Sequence, residues 1–181
     1  MNILTEHTTM DFLFAQWKEK LGRDYLPYRN HAYRVYNIAS TLAKVDNEDN
    51  EKIAVASAFH DIGIWFDATF DYLDPSAQRA EHYLINLGKE SWTRTVNLMI
   101  LQHHKLFPWQ GQGAESFLVE AFRRADWLDV ACFFLPTRLP EAYLCEVVKA
   151  FPRVGFNTRI TSLALWWAIR HPLKPLPIFR W

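Results

Sequence analysis

The amino-acid sequence predicts an all-α fold, a compact helical bundle that forms a single domain over 1–181. Apolar residues recur at three- and four-residue steps along most of the chain, which is the spacing of one face of an α-helix. No segment shows sustained apolar–polar alternation bounded by hairpin turns, as a half-buried strand would. Prolines and glycines fall at the ends of the periodic segments, where they begin or stop helices.

Eight helices are expected, and four of them lie in the first half of the chain. Gly22 ends the first, and Pro27 suits the first turn of the second. The third is apolar in its second half and can end at Gly63, while the fourth begins at Asp74 and ends at Gly88. The predicted helices span residues 11–21, 27–45, 49–62, 74–87, 91–105, 115–134, 141–150 and 158–170.

The segments between these helices are predicted as loops. The aromatic stretch 65–73 has no clear period and is expected to pack down as a loop. Residues 107–113 contain one proline and two glycines and form another. The sixth helix could be bent, and prolines follow it. The tail, 171–181, has three prolines and is expected to lie extended on the surface.

Composition and charge restrict the class of protein. Half of the residues are apolar, so the 181-residue chain has ample material for one core. Lysine plus arginine equals aspartate plus glutamate, at 20 each, which argues against a nucleic-acid polymer or a membrane surface as partner. The start of the chain resembles no signal peptide, and the longest apolar run, 163–169, is too short to span a bilayer. Cys132 and Cys145 lie in apolar stretches and are expected to be reduced core residues, so we expect a cytoplasmic protein.

The placement of histidines and aspartates is the most informative feature of the sequence. His60 and Asp61 are adjacent at the end of an apolar helix, where burying a carboxylate without a cation would be costly. Adjacent helical residues point about 100° apart, so the pair could grip one ion from two sides. His31 and Asp126, from other helices, would complete the site. Alone, His31 could be an ordinary core histidine and Asp126 an ion-paired residue, but together with the pair they favour a metal site.

These residues resemble the H…HD…D signature of the HD-domain superfamily of metal-dependent phosphohydrolases. Residues 60–63 spell its HDIG form, and the similarity runs over 28–130, with the C-terminal helices and tail, 141–181, outside it. The resemblance implies an HD-type helical bundle in which His31, His60, Asp61 and Asp126 bind the metal. Mixed imidazole and carboxylate ligands suit Mn, Fe, Co, Ni or Zn, with Mg also an option. An ion held there lowers the pKa of bound water, with Asp61 and His60 as the catalytic residues.

A second metal is suggested by histidines between the HD pair and the final aspartate. His82 and then His103 and His104 follow in the order typical of the binuclear branches of the superfamily. In such a site Asp61 would bridge two ions, and His82 with His104 or His103 would hold the second. His82 could instead be a partly exposed helix residue, and one of the later pair could cap its helix. One or two ions per chain are therefore expected.

The predicted substrate is a small, nucleotide-like phosphate ester, cleaved by metal-activated hydroxide as a monoesterase or a diesterase. Arg34, Lys105 and Arg123 are the candidate cations for its phosphate. The aromatic residues of 65–73 could wall a pocket for a base or pack as a lid. A homodimer contact could form at Trp166 or Trp167.

Two alternative functions remain open from the sequence. One is a diiron oxygenase or lyase of the HD type, for which Tyr25 and Tyr28 are present upstream of the first histidine, although the expected glutamate is missing there. The other is a non-catalytic HD module that binds a ligand. The Gly-Tyr-Pro element of cyclic-di-GMP phosphodiesterases is also missing after His104.

Overall fold

The all-α prediction is confirmed by a computed structural model that describes residues 1–44, 47–113 and 115–178. Within those ranges there are nine α-helices and no strand. The predicted helix end at residue 45 and the last three residues of the tail lie outside the described residues. The helices are α1 (Thr8–Leu21), α2 (Tyr25–Ala43), α3 (Asn47–Phe59), α4 (Gly63–Phe66), α5 (Leu73–Asn86), α6 (Thr93–Gln102), α7 (Ser116–Val130), α8 (Glu141–Ala150) and α9 (Phe156–Arg170). Short 3₁₀ turns, Gly22–Asp24 and Glu90–Trp92, precede α2 and α6.

Helix α2 lies at the centre of the bundle. It packs against α1, α3, α7, α8 and α9, and its middle is buried on every side. A helix that is buried all around does not need a single apolar stripe, and α2 has polar residues inside the fold as well as apolar ones. His31 and Arg34 are therefore carried into the interior by the same element.

Several helices end earlier than the sequence indicates, among them α7, which ends at Val130 where residue 134 was predicted. Two of these corrections concern the histidines. Helix α3 stops at Phe59, so His60 and Asp61 lie in the turn before α4. Helix α6 stops at Gln102, so His103 and His104 lie in the turn that follows it. In a turn, two adjacent side chains are not held at the fixed angle that separates neighbours in a helix. Both pairs can therefore face the interior.

The C-terminal segment differs from the predicted extended tail. Residues 171–178 form turns, and Ile178 is buried in a second, smaller core with Ile64, Phe70 and Tyr72. The residues of α9 that pack against this cluster include Ile160 and Ala164. Helix α9 and the following turns therefore cover one side of the bundle.

The structure also bears on the two cysteines and on the expectation that no helix spans a membrane. Cys132 and Cys145 are both free thiols at exposed positions, so the expectation that they are core residues is wrong. Helix α8 turns Tyr143, Leu144 and Val147 inward in place of Cys145. In the described part of the chain, no helix has the length and apolar content needed to cross a bilayer.

Candidate metal centre

Four elements bring six potential ligands into one interior site. His31 comes from α2, the pair at 60 and 61 from the turn after α3, the pair at 103 and 104 from the turn after α6, and Asp126 from α7. Five of the six side chains are almost fully buried, and His104 is partly exposed. Because these elements are far apart in the sequence, their convergence depends on the packing of α2, α3, α6 and α7.

The first group of ligand atoms surrounds Nε2 of His31. That atom lies 2.9 Å from Nε2 of His60, 3.4 Å from Oδ1 of Asp126 and 3.6 Å from Oδ2 of Asp61. His31, His60 and Asp61 each offer one ligand atom, and all of these atoms lie within 4.8 Å of one another. The structure therefore brings together the four residues of the predicted ligand set.

A second group shares the same carboxylates. Oδ1 of Asp61 is 3.5 Å from Nε2 of His103, and Oδ2 of Asp126 is 3.7 Å from Nδ1 of His104. Asp61, His103 and His104 also meet the geometric requirement for holding an ion. Each aspartate thus turns one oxygen to each group, which is the arrangement that two neighbouring ions would need.

The Nδ1 hydrogen bonds of three histidines leave Nε2 of each ring directed inward. Nδ1 of His60 donates to the carbonyl of Ser57, Nδ1 of His103 to that of Ile100, and Nδ1 of His31 to the carboxylate of Asp129. Carbonyl and carboxylate oxygens only accept hydrogen bonds, so Nδ1 carries the proton in each ring. A neutral ring then has its lone pair on Nε2, which is the form that binds a metal.

Burial and hydrogen bonding together set the charges of the site. Burial opposes ionisation of Asp61, but the surrounding histidines, His60 foremost, hold the pKa of Asp61 well below its usual range. Burial likewise disfavours a charged His31, but hydrogen bonds to Asp126 and Asp129 outweigh it and raise the pKa of His31 to about 9. Burial lowers the pKa of His104 to about 3, so its ring is neutral near pH 7.

Three buried atoms show that the cluster fits a cation. Oδ1 of Asp61, Oδ1 of Asp126 and Nε2 of His103 have no hydrogen-bond partner among the described residues. Buried polar atoms are almost always paired, so three orphans at one point need a ligand to satisfy them. Nitrogen and oxygen donors with inward lone pairs fit a divalent transition metal.

The structure corrects the prediction for His82. Its side chain is exposed on α5, in a shallow groove with Leu13, Gln16 and Asn86, and belongs to neither group of ligands. The inward face of α5 is formed instead by small and apolar residues such as Ala77, Ala80 and Leu84. The second group therefore uses both His103 and His104 where the sequence indicated one of them together with His82.

The prediction that Arg34 binds the phosphate is also corrected, because its side chain does not face the site. It is fully buried, and its guanidinium donates to both oxygens of Asp129, at 2.7 and 2.9 Å, and to the carbonyl of Phe151. Asp129 in turn accepts from His31, so Arg34 acts on the site through two intermediaries. The sequence analysis missed Asp129, although it lies one helical turn beyond Asp126 and so shares its face of α7.

The remaining two predicted phosphate ligands are Arg123 and Lys105. Arg123 forms a two-point contact with the carboxylate of Glu120 and donates to the backbone carbonyl of Lys105. It lines a different cavity, together with Leu135 and Pro136, so its prediction as a substrate ligand is corrected as well. Lys105 is half-buried and directly follows the two histidines in the turn after α6. Its role as a phosphate ligand stays a prediction.

Tyr72, which the sequence offers only among the aromatic residues that could wall a pocket, also contacts a histidine of the site. Its hydroxyl lies 2.6 Å from Nε2 of His104, and the side chain is buried. Tyr28, by contrast, donates its hydroxyl to the carbonyl of Ala58 at 2.7 Å and presents no ligand atom to the centre. Of the aromatic stretch, Phe70 and Tyr72 face the site, whereas Trp65 donates to Asp24 and Phe66 packs edge-to-face against Trp17.

A cavity of about 420 Å³ opens onto the ligands. Asp61, His104 and Asp126 form one end, and the walls are apolar side chains from α9, the C-terminal turns and the aromatic stretch. No lysine or arginine from residues 1–44, 47–113 or 115–178 lines it. Its size lies within the range of about 300–1,000 Å³ that small-molecule sites occupy.

Comparison with known proteins gives one match. A family model described as HD domain matches residues 28–131, which is more than half of the chain and includes all six ligands. No curated protein and no solved structure shows a significant match to the chain.

Proposed function

We propose, from the premise that this chain belongs to the HD domain family of metal-dependent hydrolases, that it hydrolyses a phosphate ester of a small molecule. The observation that carries the proposal is the convergence of six nitrogen and oxygen donors, three of them with orphaned atoms, at the end of a ligand-sized cavity. A divalent cation bound there would lower the pKa of a water molecule and neutralise charge on a phosphate oxygen.

The ligand residues divide into two groups with a common member. His31, His60 and Asp61, completed by Asp126, would hold one ion. His103 and His104 would hold a second, with Asp61 shared between the two. Histidine and carboxylate donors favour Mn, Fe, Co, Ni or Zn over a metal that prefers oxygen ligands alone.

The chain's own residues would orient the ester and keep water away from the rest of it. Asp61 and Asp126 stay ionised, because the pKa of each is held below its usual range by the neighbouring histidines, although burial acts in the opposite direction. In the reaction, water supplies oxygen to phosphorus, the bond from phosphorus to the alcohol oxygen breaks, and the alcohol leaves with a proton. The buried walls of the cavity would limit access of bulk water during this step.

The test is a hydrolysis assay with a matched control. Protein loaded with Mn, Co, Ni or Zn is given a panel of phosphate monoesters and diesters, and release of alcohol and phosphate is measured. We expect Asp61→Asn and His60→Gln to lose more than about 100-fold in kcat/KM, since even residues that only orient a ligand give losses of about 10–100-fold. His82→Gln is the control, because the exposed ring of His82 should have no influence. Absence of hydrolysis with every ester and metal would contradict the proposal.

A further inference from the structure

The cavity beside the metal centre has walls that are unsuited to a polar ligand. Beyond the acidic end, the side chains that form it are mostly hydrocarbon, among them Phe70, Phe156, Ile160, Ala164 and Ile178. Burial of such surface is favourable only when the ligand brings apolar surface of its own.

The few polar side chains in these walls already have hydrogen-bond partners. The Tyr72 hydroxyl lies against His104, the Thr161 hydroxyl donates to the carbonyl of Asn157, and the Trp127 indole donates to the carbonyl of Lys105. A sugar hydroxyl or a base amide in this space would lose its water and find few partners, because the Thr161 O–H and the Trp127 N–H are already donated within the protein. Each unsatisfied group of that kind lowers affinity by about tenfold or more.

Among the described residues, the charged side chains that line the cavity are two carboxylates beside the histidines. Asp61 and Asp126 are the ionised groups, and both lie at the end where the histidines are. Arg34 and Arg123, the two arginines that the sequence analysis assigned to the phosphate, are held by Asp129 and Glu120. An anionic group on the ligand would therefore be most stable at the acidic end, beside cations bound there.

From these observations we propose that the alcohol part of the substrate is apolar, a hydrocarbon chain or ring that fills the cavity under α9 while its phosphate lies at the metal centre. This inference rests on the proposed function and refines it, since it replaces the nucleoside of the sequence-based expectation with a hydrophobic group. Helix α9 then acts as the specificity element, with Ile160, Ala164 and Ala168 facing the hydrocarbon.

The first test measures binding to the unaltered, metal-loaded protein and does not require turnover. Methyl-, butyl- and octylphosphonate, which resist hydrolysis, are titrated by calorimetry alongside adenosine 5′-monophosphate. Each buried methylene is worth about 0.8 kcal/mol, so we expect affinity to rise about fourfold per added carbon until the cavity is full. Equal affinity for the three phosphonates, or tighter binding of the nucleotide than of octylphosphonate, would overturn the inference.

Two substitutions on α9 then test whether the dependence of affinity on chain length arises in the cavity. Ala164→Phe places a ring inside the cavity, whereas Ser162→Phe places the same ring on the exposed side of the helix. We expect Ala164→Phe to lower the ratio of octyl- to methylphosphonate affinity at least tenfold, and Ser162→Phe to keep the ratio of the unaltered protein. An unchanged ratio in Ala164→Phe would place the binding elsewhere and contradict the inference.

The inference and the proposed function fail in different ways. Chain-length-dependent binding without hydrolysis of octyl phosphate would refute the hydrolase proposal and support the apolar cavity. Hydrolysis of nucleotides at rates equal to those of alkyl phosphates would support the hydrolase and overturn the apolar substrate class.

Discussion

The His31 ring is oriented by a buried relay that begins at Arg34. Arg34 contacts both oxygens of Asp129, and Asp129 accepts a hydrogen bond from Nδ1 of His31 at 2.8 Å. A carboxylate behind a metal-binding histidine fixes the tautomer and the direction of the ring. The arginine and aspartate would therefore orient His31 without contacting a bound ion.

Asp129→Asn should weaken metal binding and destabilise the fold. Loss of the carboxylate removes the orientation of His31, for which we expect affinity to fall about 10–100-fold. It also leaves the Arg34 charge buried without its full partner, and breaking such a pair costs about 3–5 kcal/mol. Affinity is measured by competition with a chromogenic chelator, and stability by urea unfolding.

Asp67→Asn provides the matched control for this prediction. Asp67 makes the same kind of two-point contact with Arg79, but at the surface, where ion pairs contribute little. If the two variants bound metal equally well, the proposed role of Asp129 would be wrong.

The role of a residue was predictable from the sequence where the residues that act together are neighbours in the chain. The HDIG run identifies His60 and Asp61 because a carboxylate at the end of an apolar helix is buried at high cost unless a cation lies beside it. Arg34 was misassigned since its spacing from His31 gives its direction along α2 but not its partner. Only the packing of α2 on α7 shows that Asp129 is the group that the guanidinium binds.

At the scale of elements, the close contact between α4 and α5 sets the position of Tyr72. Gly63 begins α4, and its N–H donates to the Ser76 hydroxyl at 3.0 Å. A Cβ at Gly63 would lie 2.9 Å from the Tyr72 carbonyl oxygen, 3.0 Å from Tyr72 Cβ and 3.1 Å from the Ser76 hydroxyl. The glycine of the HDIG motif is therefore required by packing. Because it sets the position of Tyr72, whose hydroxyl contacts His104, it also affects the site.

Gly63→Ala should force α4 and α5 apart. Overpacking of a tight interior contact costs about 1–3 kcal/mol, and here the atoms that would have to move belong partly to the backbone of Tyr72. We expect a lower urea midpoint with an unchanged slope. A midpoint equal to that of the unaltered protein would show that the contact is not restrictive.

The helices themselves were largely predictable from periodicity, but their functional faces were not. Helix α8 has the predicted bounds, and α9 begins two residues earlier than expected. The sequence of α9 is apolar on several sides, with Leu165 and Ile169 exposed, so its pattern could not show which face covers the cavity. That face is determined by contacts with residues more than eighty positions away, such as Phe70.

In the molecule as a whole, the buried carboxylates differ in the positive charges that lie beside them. Asp129 has Arg34 and Arg153 beside it, within 2.7 and 3.2 Å. Asp61 and Asp126 have only histidines within ion-pairing distance among the described residues. Burying two such charges costs several kcal/mol each unless cations accompany them. Protonated His31 can supply one positive charge, and a bound divalent metal would supply two to the same carboxylates.

Elemental analysis of the metal content is the sharpest test of whether these residues bind a metal. The unaltered protein, the double variant His60→Gln/Asp61→Asn and the control His82→Gln are each loaded with a transition metal, freed of excess ion and analysed. We expect at least one ion per chain in the unaltered protein and in His82→Gln, and essentially none in the double variant. An unaltered protein that retains no metal, or a double variant that retains as much as the control, would contradict it.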